Sequence, residues 1–422
     1  MIDRSIAPDF VIPANFKLPR ASSIINPGRV PIHFISVGNH SISKIELIFK
    51  AGKWHEPSVG ISHFTSKMLL EGTERLNSVE LNRAFEKLGS FIEISAGNDH
   101  STLTVFSLNK HIDKVLDLIR EIILTPKFAE KDLNTLKNIQ RESLKVNNEK
   151  TSFLASKEFK KQLLGIHSPY SNQLEISDLE NITIDNLKSF YQSHIRESFE
   201  VFVSGGLDGA IIEKIQTFFS EFPNKRIDPK VKEDRSSVES ENLIDKKKEG
   251  SLQTSLRLGV RCIPKNHEDY VDLLITNELL GGYFGSRLMQ SIREDKGYTY
   301  GIHSSIIQLV NDAYFVISSD VKKQFRQEAV DEVKNELSKL SNEYVSNDEL
   351  DKVKNYFKGS FLSSISTPFS IAEKFKSIYF LGLDYTFYDQ LFDRIDQVSA
   401  ESVQSAASKY LSLGKIKATM VG

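Results

Sequence analysis

The segment Phe202-Val203-Ser204-Gly205 has a counterpart in Thr419-Met420-Val421-Gly422, which lies 217 residues further along the chain. The same offset relates two predicted helix openings, Glu130-Lys131-Asp132-Leu133 and Asn347-Asp348-Glu349-Leu350. A predicted capped helix precedes each closing segment at nearly the same spacing. Three matches in register over about 70 residues exceed what chance gives for short patterns. The chain is therefore predicted to contain two copies of one unit.

Each copy shows the same order of predicted elements. An alternating strand comes first, one or two helices follow, and a hairpin-like pair of strands leads into long helices and a closing strand. The predicted first strands and hairpins are residues 45–49, 91–96 and 102–107 in the first copy, and residues 255–260, 300–308 and 313–318 in the second. Strands and helices in unequal blocks predict an α+β fold. We expect two homologous α/β sandwiches, each a mostly antiparallel sheet packed with helices.

The composition of the 422 residues excludes several classes of function. Hydrophobic residues make up 40% and charged residues 26%, as in ordinary globular proteins. The net charge of −2 gives no electrostatic reason to expect a nucleic acid or an anionic membrane as a partner. A single cysteine, Cys262, excludes an intramolecular disulfide. Because residues 1–10 do not resemble a secretory signal and no apolar run could cross a bilayer, we expect a cytoplasmic location.

The segment from Asn224 to Gly250 separates the two copies. It is rich in Lys, Glu, Asp and Ser and shows no apolar periodicity, which is typical of a solvated linker. We expect an N-terminal domain at residues 1–223, a charged linker at 224–250 and a C-terminal domain at 251–422. Acidic residues surround the run Lys246-Lys247-Lys248, which favours a linker over a nucleic-acid contact.

The segment from Gly60 to Thr73, GISHFTSKMLLEGT, resembles the zinc-binding signature of the pitrilysin/insulinase peptidases. Those enzymes carry His-x-x-Glu-His on a helix, followed by Met-Leu and Gly-Thr. The resemblance extends over essentially the whole chain, since the family is built from a duplicated α+β unit of this kind. It implies a fold that forms one half of a metallopeptidase clamshell.

The catalytic chemistry implied by the resemblance requires groups that this segment lacks. Histidines at i and i+4 share one helix face and can bind one Zn²⁺, while the Glu between them activates the metal-bound water. Here His63 keeps the first ligand position, Ser66 stands in place of the base and Lys67 in place of the second His. Because the lysine cation repels a metal and serine cannot act as this base, we expect no zinc and no catalysis in this chain.

The third zinc ligand of the family is a Glu on a later helix. Glu142 lies 79 residues after His63, and the resemblance assigns it to that position or next to it. A Lys67–Glu142 ion pair is a natural replacement for the metal, and we state it as a hypothesis. His63 is then interpreted as a partly buried helix residue rather than as a ligand.

The second copy contains Ser286-Arg287-Leu288, followed by Arg293 and Tyr300, which are seven residues apart. This arrangement resembles the C-terminal-domain signature of the same family, whose Arg/Tyr pair lies in the wall opposite the zinc site. The resemblance implies that Arg293 and Tyr300 bind the substrate backbone and that the Tyr hydroxyl donates to the scissile carbonyl. Taken alone, an Arg in a last helical turn and a Tyr in a strand are also ordinary structural choices.

In two-chain members of the family, one subunit carries the zinc motif and the other carries the Arg/Tyr pair. The resemblance, to the processing-peptidase-like branch in particular, therefore implies a non-catalytic, peptide-binding subunit. The expected partners are a homologous subunit that holds the zinc ion and a peptide or unfolded polypeptide substrate. Two other hypotheses stay open: a structural or assembly protein of the same fold, and a weak metal-dependent peptidase that uses His63 and Glu142.

Overall fold

The structure, a computed structural model, describes residues 16–225 and 241–422, which form two β-sheets flanked by helices. Residues 1–10 and most of the predicted linker lie outside the described residues, so the expectations about them stay predictions. The strands of the first sheet are β1 (Ser22–Ile24), β2 (Ile32–Ser36), β3 (Ile42–Phe49), β4 (Phe91–Ala96), β5 (Ser101–Leu108) and β6 (Phe199–Gly205). The strands of the second sheet are β7 (Leu243–Lys246), β8 (Gln253–Arg261), β9 (Thr299–Gln308), β10 (Ala313–Lys322) and β11 (Lys417–Val421).

The helices fall into two similar groups. Those of the first half are α1 (Ile61–Met68), α2 (Ser78–Lys87), α3 (Ile112–Leu124), α4 (Glu130–Asn148), α5 (Thr151–Leu164), α6 (Ile184–His194) and α7 (Gly209–Ser220). Those of the second half are α8 (Tyr270–Asn277), α9 (Arg326–Asn342), α10 (Asn347–Ser363), α11 (Pro368–Tyr379), α12 (Thr386–Asp389), α13 (Leu391–Gln397) and α14 (Ala400–Tyr410). Two π-helical turns, Glu278–Gly282 and Met289–Asp295, follow α8. Within the two described ranges, none of these helices has the length and apolar composition needed to cross a bilayer.

The internal duplication is visible in the order of the strands. The first sheet has the order β1-β2-β6-β3-β5-β4, and the second has the order β7-β11-β8-β10-β9. Each sheet has one parallel pair, β2/β6 or β7/β11, beside a run of antiparallel pairs. The hairpins β4/β5 and β9/β10 lie at equivalent edges. The predicted α+β fold with two related, mostly antiparallel sheets is confirmed.

The predicted linker contains a strand that its composition did not indicate. Residues Leu243–Lys246 form β7, which pairs in parallel with β11 and occupies the position that β2 has in the first sheet. Only Ile244 of this strand is even partly buried. An edge strand exposed on both faces shows no apolar alternation, so its sequence resembles that of a linker. The prediction of a solvated linker over residues 224–250 is thus corrected for residues 243–246.

The two halves exchange one helix. Helix α5 comes from the first half but packs on β8 and β11, whereas α11 comes from the second half and packs on β2 and β6. Their first residues, Thr151 and Pro368, are 217 residues apart, so they are the same helix of the duplicated unit. Because each helix covers the sheet of the other half, separating the halves would expose both hydrophobic cores.

Polar contacts fix each exchanged helix on its sheet. On the second sheet, Thr419 Oγ1 donates a hydrogen bond to Gln162 Oε1 of α5 at 2.8 Å. Ion pairs hold α11 on the first sheet, and both have N–O distances of 2.8 Å: Lys44–Glu373 and Lys376–Glu46. A small apolar cluster that includes Phe159 of α5 lies between the halves. The two sheets therefore form one connected body.

Candidate functional site

Helix α1 carries the segment that resembles the zinc motif. The Glu56 carboxylate accepts hydrogen bonds from the amides of Gly60 and Ser62, both at 3.1 Å, and thereby caps the start of the helix. Gly60 has a φ of +93°, and a Cβ there would lie 2.7 Å from Leu174 Cδ1. The apolar face of α1 packs into the core of the first half, which fixes the direction of its polar face.

Ser66, which stands where the family has its catalytic Glu, is only 1% exposed. Its Oγ donates a hydrogen bond to Ser101 Oγ at 3.0 Å, and Ser101 Oγ donates to the Ala51 carbonyl at 2.9 Å. The Ser62 hydroxyl donates to the same carbonyl. The Ser66 hydroxyl is therefore a structural link between α1 and the start of β5, and a buried neutral hydroxyl cannot take a proton from water at pH 7.

His63 and Lys67 occupy the positions of the two histidine ligands. The exposed Lys67 places its Nζ 3.5 Å from the carbonyl oxygen of Ile94 in β4. Burial, followed by the charges of Lys67 and Lys53, lowers the pKa of His63 to about 4. His63 is thus a neutral imidazole at pH 7, but it lies in a field that repels a metal cation.

Helix α4 places Gln140 against His63. The Gln140 side chain lies close enough to His63 to raise the pKa of the imidazole, but this effect is smaller than that of burial. Gln140 lies seven residues after Leu133 and four before Leu144, the two buried residues of α4, and so shares their face of the helix. Gln140 is therefore a polar residue on the face of α4 that is directed towards the degenerate motif.

Glu142 points elsewhere. It is exposed and forms an ion pair with Lys145, one turn further along α4, with an N–O distance of 2.8 Å. In the part of the chain that the structure describes, no ion pair joins Glu142 to Lys67, whose only hydrogen bond is to a β4 carbonyl. The hypothesis of a Lys67–Glu142 pair is wrong, because position 142 lies on the solvent side of the helix.

The residues of α1 and α4 do not fit a zinc ion. Catalytic zinc sites hold the metal with three protein ligands that offer nitrogen, sulfur or carboxylate oxygen. His63 alone meets this requirement here, since Lys67 is a cation and Gln140 offers only a neutral amide. Within residues 16–225 and 241–422, no three His, Cys, Asp or Glu side chains lie where they could share a metal. The donor set is therefore incomplete by two ligands.

Arg293 lies in the last turn of the π-helical segment Met289–Asp295, and π-helical turns occur frequently at functional sites. Gly297 follows with a φ of +63°, which is typical of a glycine that ends a helix. The guanidinium carbon of Arg293 is 4.6 Å from the ring centroid of Phe284, which is 64% exposed. Arg293 forms no ion pair with another described residue, so its N–H groups are available to a ligand.

Tyr300 lies on a β-bulge at the free edge of the second sheet. Thr299 pairs with Val321 and Ile302 with Ser319, so the register shifts at Tyr300. The Thr299 hydroxyl stabilises the bulge by donating to the Asp320 carbonyl at 2.7 Å. Tyr300 is 88% exposed, and its hydroxyl has no partner among the described residues. Bulges commonly re-aim side chains, and here the bulge leaves the phenol directed towards solvent.

Sequence reasoning missed three residues of these two regions. Gln140 could have been found from the apolar stripe of α4, because it falls on that stripe and Glu142 does not. Phe284 could not, since only its packing against Arg293 marks it. Lys53 lies in the 3₁₀ turn Lys53–His55, whose position depends on long-range packing. No hydrogen bond or ion pair between described residues joins α1 to Arg293 or Tyr300, which belong to the other half.

Comparison with known families identifies both halves. The sequence model of the insulinase family, peptidase family M16, matches residues 34–168, and that of the peptidase M16 inactive domain matches residues 181–357. The chain is 24% identical to the uncharacterized zinc protease YmxG of Bacillus subtilis, over 84% of this chain and 87% of that protein. It is 22% identical to the non-peptidase homolog YmxG of Helicobacter pylori, over 94% of this chain and 93% of the relative.

Solved structures show the same fold. A peptidase M16 inactive domain from Pseudomonas fluorescens superimposes with a TM-score of 0.83 at 22% identity, covering 95% of this chain and 98% of the other. A protease from Helicobacter pylori superimposes with a TM-score of 0.85 at 17% identity, covering 96% of this chain and all of that one. Since the two family matches cover both halves in chain order, the chain belongs to the insulinase family, peptidase family M16.

Proposed function

We propose that this chain is a non-catalytic, peptide-binding subunit of a heteromeric zinc metallopeptidase of the insulinase type. A homologous partner supplies His-x-x-Glu-His and the zinc ion, while this chain supplies Arg293 and Tyr300. The peptide lies extended along a sheet edge, where main-chain hydrogen bonds provide affinity. The same two residues bind the peptide backbone at the bond that the partner cleaves.

The observation that carries the proposal is the state of Tyr300. An aromatic side chain that is 88% exposed, with an unpartnered hydroxyl on a bulged edge strand, adds little to folding stability. Placed against a scissile carbonyl, the same hydroxyl donates a hydrogen bond that strengthens as negative charge develops on the oxygen. The planar guanidinium of Arg293 adds up to five N–H donors, and its contact with the Phe284 ring orients it.

The loss of catalysis rests on α1. The buried Ser66 hydroxyl is hydrogen-bonded to Ser101, and Lys67 holds a positive charge where a zinc ligand is needed. The relatives carry both kinds of name, zinc protease and non-peptidase homolog. The residues of this chain fit the second name better, because neither the base nor two of the three ligands is present.

The proposal is tested by mixing the purified chain with a homologous chain from the same organism that has an intact motif. Cleavage of a fluorogenic peptide is measured for each chain alone and for the mixture. We expect cleavage to need both chains, and to fall at least about 10-fold with Arg293→Ala and about 100-fold with Tyr300→Phe, because the lost hydroxyl acts on the developing charge.

Tyr344→Phe is the matched control, since Tyr344 is also an exposed tyrosine of the second half and no proposed contact involves it. It should leave the cleavage rate of the mixture unchanged. If this chain does not alter the activity of the partner, or if Arg293→Ala and Tyr300→Phe act no more strongly than the control, the proposal fails. The chain would then be an assembly protein of the same fold.

A further inference from the structure

Lys265 lies in the loop between β8 and α8, at a place where the two halves of the chain meet. Its backbone amide donates a hydrogen bond to Gln308 Oε1, at the end of β9, at 3.0 Å. The residue lines two cavities, of about 330 and 360 Å³, which share Leu309, Val310 and Leu381 in their walls. Lys265 is therefore held in place beside a cavity with an apolar side.

The Lys265 ammonium group is surrounded by hydroxyls and aromatic rings. Its Nζ lies 3.2 Å from Ser377 Oγ of α11 and 3.5 Å from the hydroxyl oxygen of Tyr388 in α12. It also lies 4.8 Å from the ring centroid of Phe387 and 5.4 Å from that of Tyr388. The two hydroxyls can accept two of its three hydrogens, so one direction from Nζ stays open to a molecule in the cavity.

No carboxylate of the described residues forms an ion pair with Lys265. The acidic groups in the walls of the two cavities have other partners, which are Lys376 for Glu373, Tyr170 for Asp99 and Arg261 for Asp312. Lys376 lines the larger cavity together with Lys265, but it is paired with both Glu46 and Glu373. Lys265 thus differs from its neighbour in having hydroxyl partners in place of a counter-ion.

This environment favours the neutral amine of Lys265. Burial, followed by the charge of Lys374, lowers its pKa to about 8. An amine with this pKa is neutral in roughly one molecule of four at pH 7.5, compared with about one in 1,000 for an ordinary lysine. Lysines that are desolvated in a pocket or lie next to another cation act as nucleophiles towards carbonyl compounds, and Lys265 meets both conditions.

Ser377 is the other candidate nucleophile at this place. Its hydroxyl donates a hydrogen bond to the Lys374 carbonyl, one turn earlier in α11, at 2.8 Å. With that hydrogen in use, Ser377 Oγ accepts from Lys265 and from the Tyr388 hydroxyl, which is 2.8 Å away. Because the serine hydrogen is directed to the backbone and not to Lys265 Nζ, the lysine cannot act as its base. The amine is therefore the nucleophile that this geometry favours.

We propose that Lys265 forms an imine with an aldehyde whose apolar body lies in the cavity between the halves, against Leu309 and Leu381. The Nζ lone pair attacks the carbonyl carbon, and one amine hydrogen passes to the carbonyl oxygen to give a carbinolamine. The C–O bond then breaks as the C=N bond forms, and the oxygen leaves as water with the second amine hydrogen. The step needs no oxidant or reductant, and it does not depend on the proposed contacts of Arg293 and Tyr300.

The test uses the full chain, benzaldehyde, and sodium cyanoborohydride, which reduces an imine to a stable secondary amine. Peptide mapping by mass spectrometry then locates and quantifies the labelled lysines. At pH 7.5 we expect Lys265 to be labelled at least about 10-fold faster than Lys376 in the same cavity and Lys145 on the surface, both of which are ion-paired. A rate at Lys265 no higher than that at Lys145 would overturn the proposal.

The concentration dependence tests whether the cavity binds the aldehyde. The labelling rate at Lys265 should saturate as benzaldehyde is increased, because a complex forms first, whereas the rate at Lys145 should stay proportional to concentration. A proportional rate at Lys265 would show that no complex forms, and the proposal would fail.

A variant and a pH profile test the role of the amine. Lys265→Arg keeps the positive charge but offers no nucleophilic lone pair, so it should abolish the fast labelling and leave the midpoint of urea denaturation unchanged. In the unchanged chain, the labelling rate at Lys265 should rise with pH around a midpoint near 8. A midpoint above about 10, as for an exposed lysine, would contradict the proposal whether or not the variant folds.

Two further reagents separate the imine from other chemistry at this place. Benzoate has the ring of benzaldehyde with a carboxylate in place of the aldehyde. If benzoate protected Lys265 from acetylation but benzaldehyde gave no trapped imine, the cavity would be a carboxylate site and the proposal would be wrong. Labelling of Ser377 by a fluorophosphonate would identify the serine as the nucleophile and would also contradict it.

Discussion

The α1 region and the Arg293–Tyr300 region belong to the two copies of one duplicated unit, yet their polar groups are in opposite states. On α1, the Ser66 hydroxyl is buried and bonded inside the protein. On β9, the Tyr300 hydroxyl is exposed and unpartnered, and Arg293 is fixed by a ring but not by a carboxylate. The difference separates a region whose side chains serve the fold from one whose side chains are available to a ligand.

The difference also shows how unequally the two kinds of site tolerate substitution. A catalytic zinc centre needs its complete set of ligands and a base, so replacing one ligand by a lysine abolishes it. A peptide-binding edge depends on backbone groups and a few exposed donors, each of which contributes a modest part of the affinity. One copy can therefore lose its chemistry while the other keeps a binding surface.

Rebuilding the metal site should change the binding properties of the chain most. Lys67→His together with Gln140→Glu would place two imidazoles at i and i+4 on α1 and a carboxylate on the face of α4 that contacts His63. We expect the double variant to bind one equivalent of zinc at least about 100-fold more tightly than Lys67→His alone. Zinc affinity is measured by competition with a chromogenic chelator.

The matched control is the single variant Lys67→His, which keeps Gln140 and therefore has Glu142 as the only nearby carboxylate candidate on α4. If the single variant bound zinc as tightly as the double variant, Glu142 would be able to reach the site and the orientation of α4 would be different. Neither variant should cleave peptides, because Ser66 cannot act as the base.

A smaller effect is expected on peptide affinity at the other region. Arg293→Ala removes charge-assisted hydrogen bonds, each worth about 1.5–3 kcal/mol, and should weaken peptide binding by at least about 10-fold. Tyr300→Phe removes one neutral hydrogen bond and should weaken it by about 3-fold. Fluorescence anisotropy with a labelled extended peptide measures both. If Tyr300→Phe lowered the free energy of unfolding but left peptide affinity unchanged, the role of this hydroxyl would be structural.

Ser66→Ala should show the reverse behaviour. Removing this hydroxyl leaves the Ser101 oxygen without its buried donor, so we expect the free energy of unfolding to fall by about 1–2 kcal/mol. Urea denaturation measures the change, and peptide affinity should not move. An unchanged free energy of unfolding would mean that the hydrogen bond between α1 and β5 does not stabilise the fold.

An effect that is absent at pH 7 and develops only in acid is a pH dependence located at His63. Its pKa is lowered from 6.5 to about 4 in the folded chain, so protonation favours the unfolded state. The corresponding stability is fully present above pH 6.5 and is lost as the pH falls towards 4. His63→Gln should remove this part of the pH dependence, and Lys67→Gln should raise the pKa of His63, because one repelling charge is gone. A pKa near 6.5 in the unchanged chain, measured by NMR, would refute this description of the site.

The fold could be predicted from the sequence because the duplication repeats local patterns, namely helix starts and closing strands, at a constant offset. The helix starts at Glu130 and Asn347 and the closing strands β6 and β11 lie where the 217-residue offset predicts them. The exchange of α5 and α11 was not predicted, because the identity of the sheet that a helix covers is a long-range property. Strand β7 was missed since exposed edge strands lack the alternation that marks other strands.

Site residues could be predicted where one motif on one helix determines their positions. They could not be predicted where tertiary packing determines which side chains meet. Positions 63, 66 and 67 share one helix, so their grouping follows from helical spacing. The partner from α4 was assigned from a distance along the chain, and an error of two residues rotated the prediction from Gln140 to Glu142, on the opposite side.

Zinc binding by the unchanged chain tests most directly whether α1 can form a metal site. The purified chain is stripped of metal with a chelator, supplied with one equivalent of zinc, and titrated against a chromogenic chelator at pH 7. We expect no zinc site with a Kd below about 1 µM, either in the unchanged chain or in His63→Ala. One equivalent of tightly bound zinc, lost in His63→Ala, would contradict it.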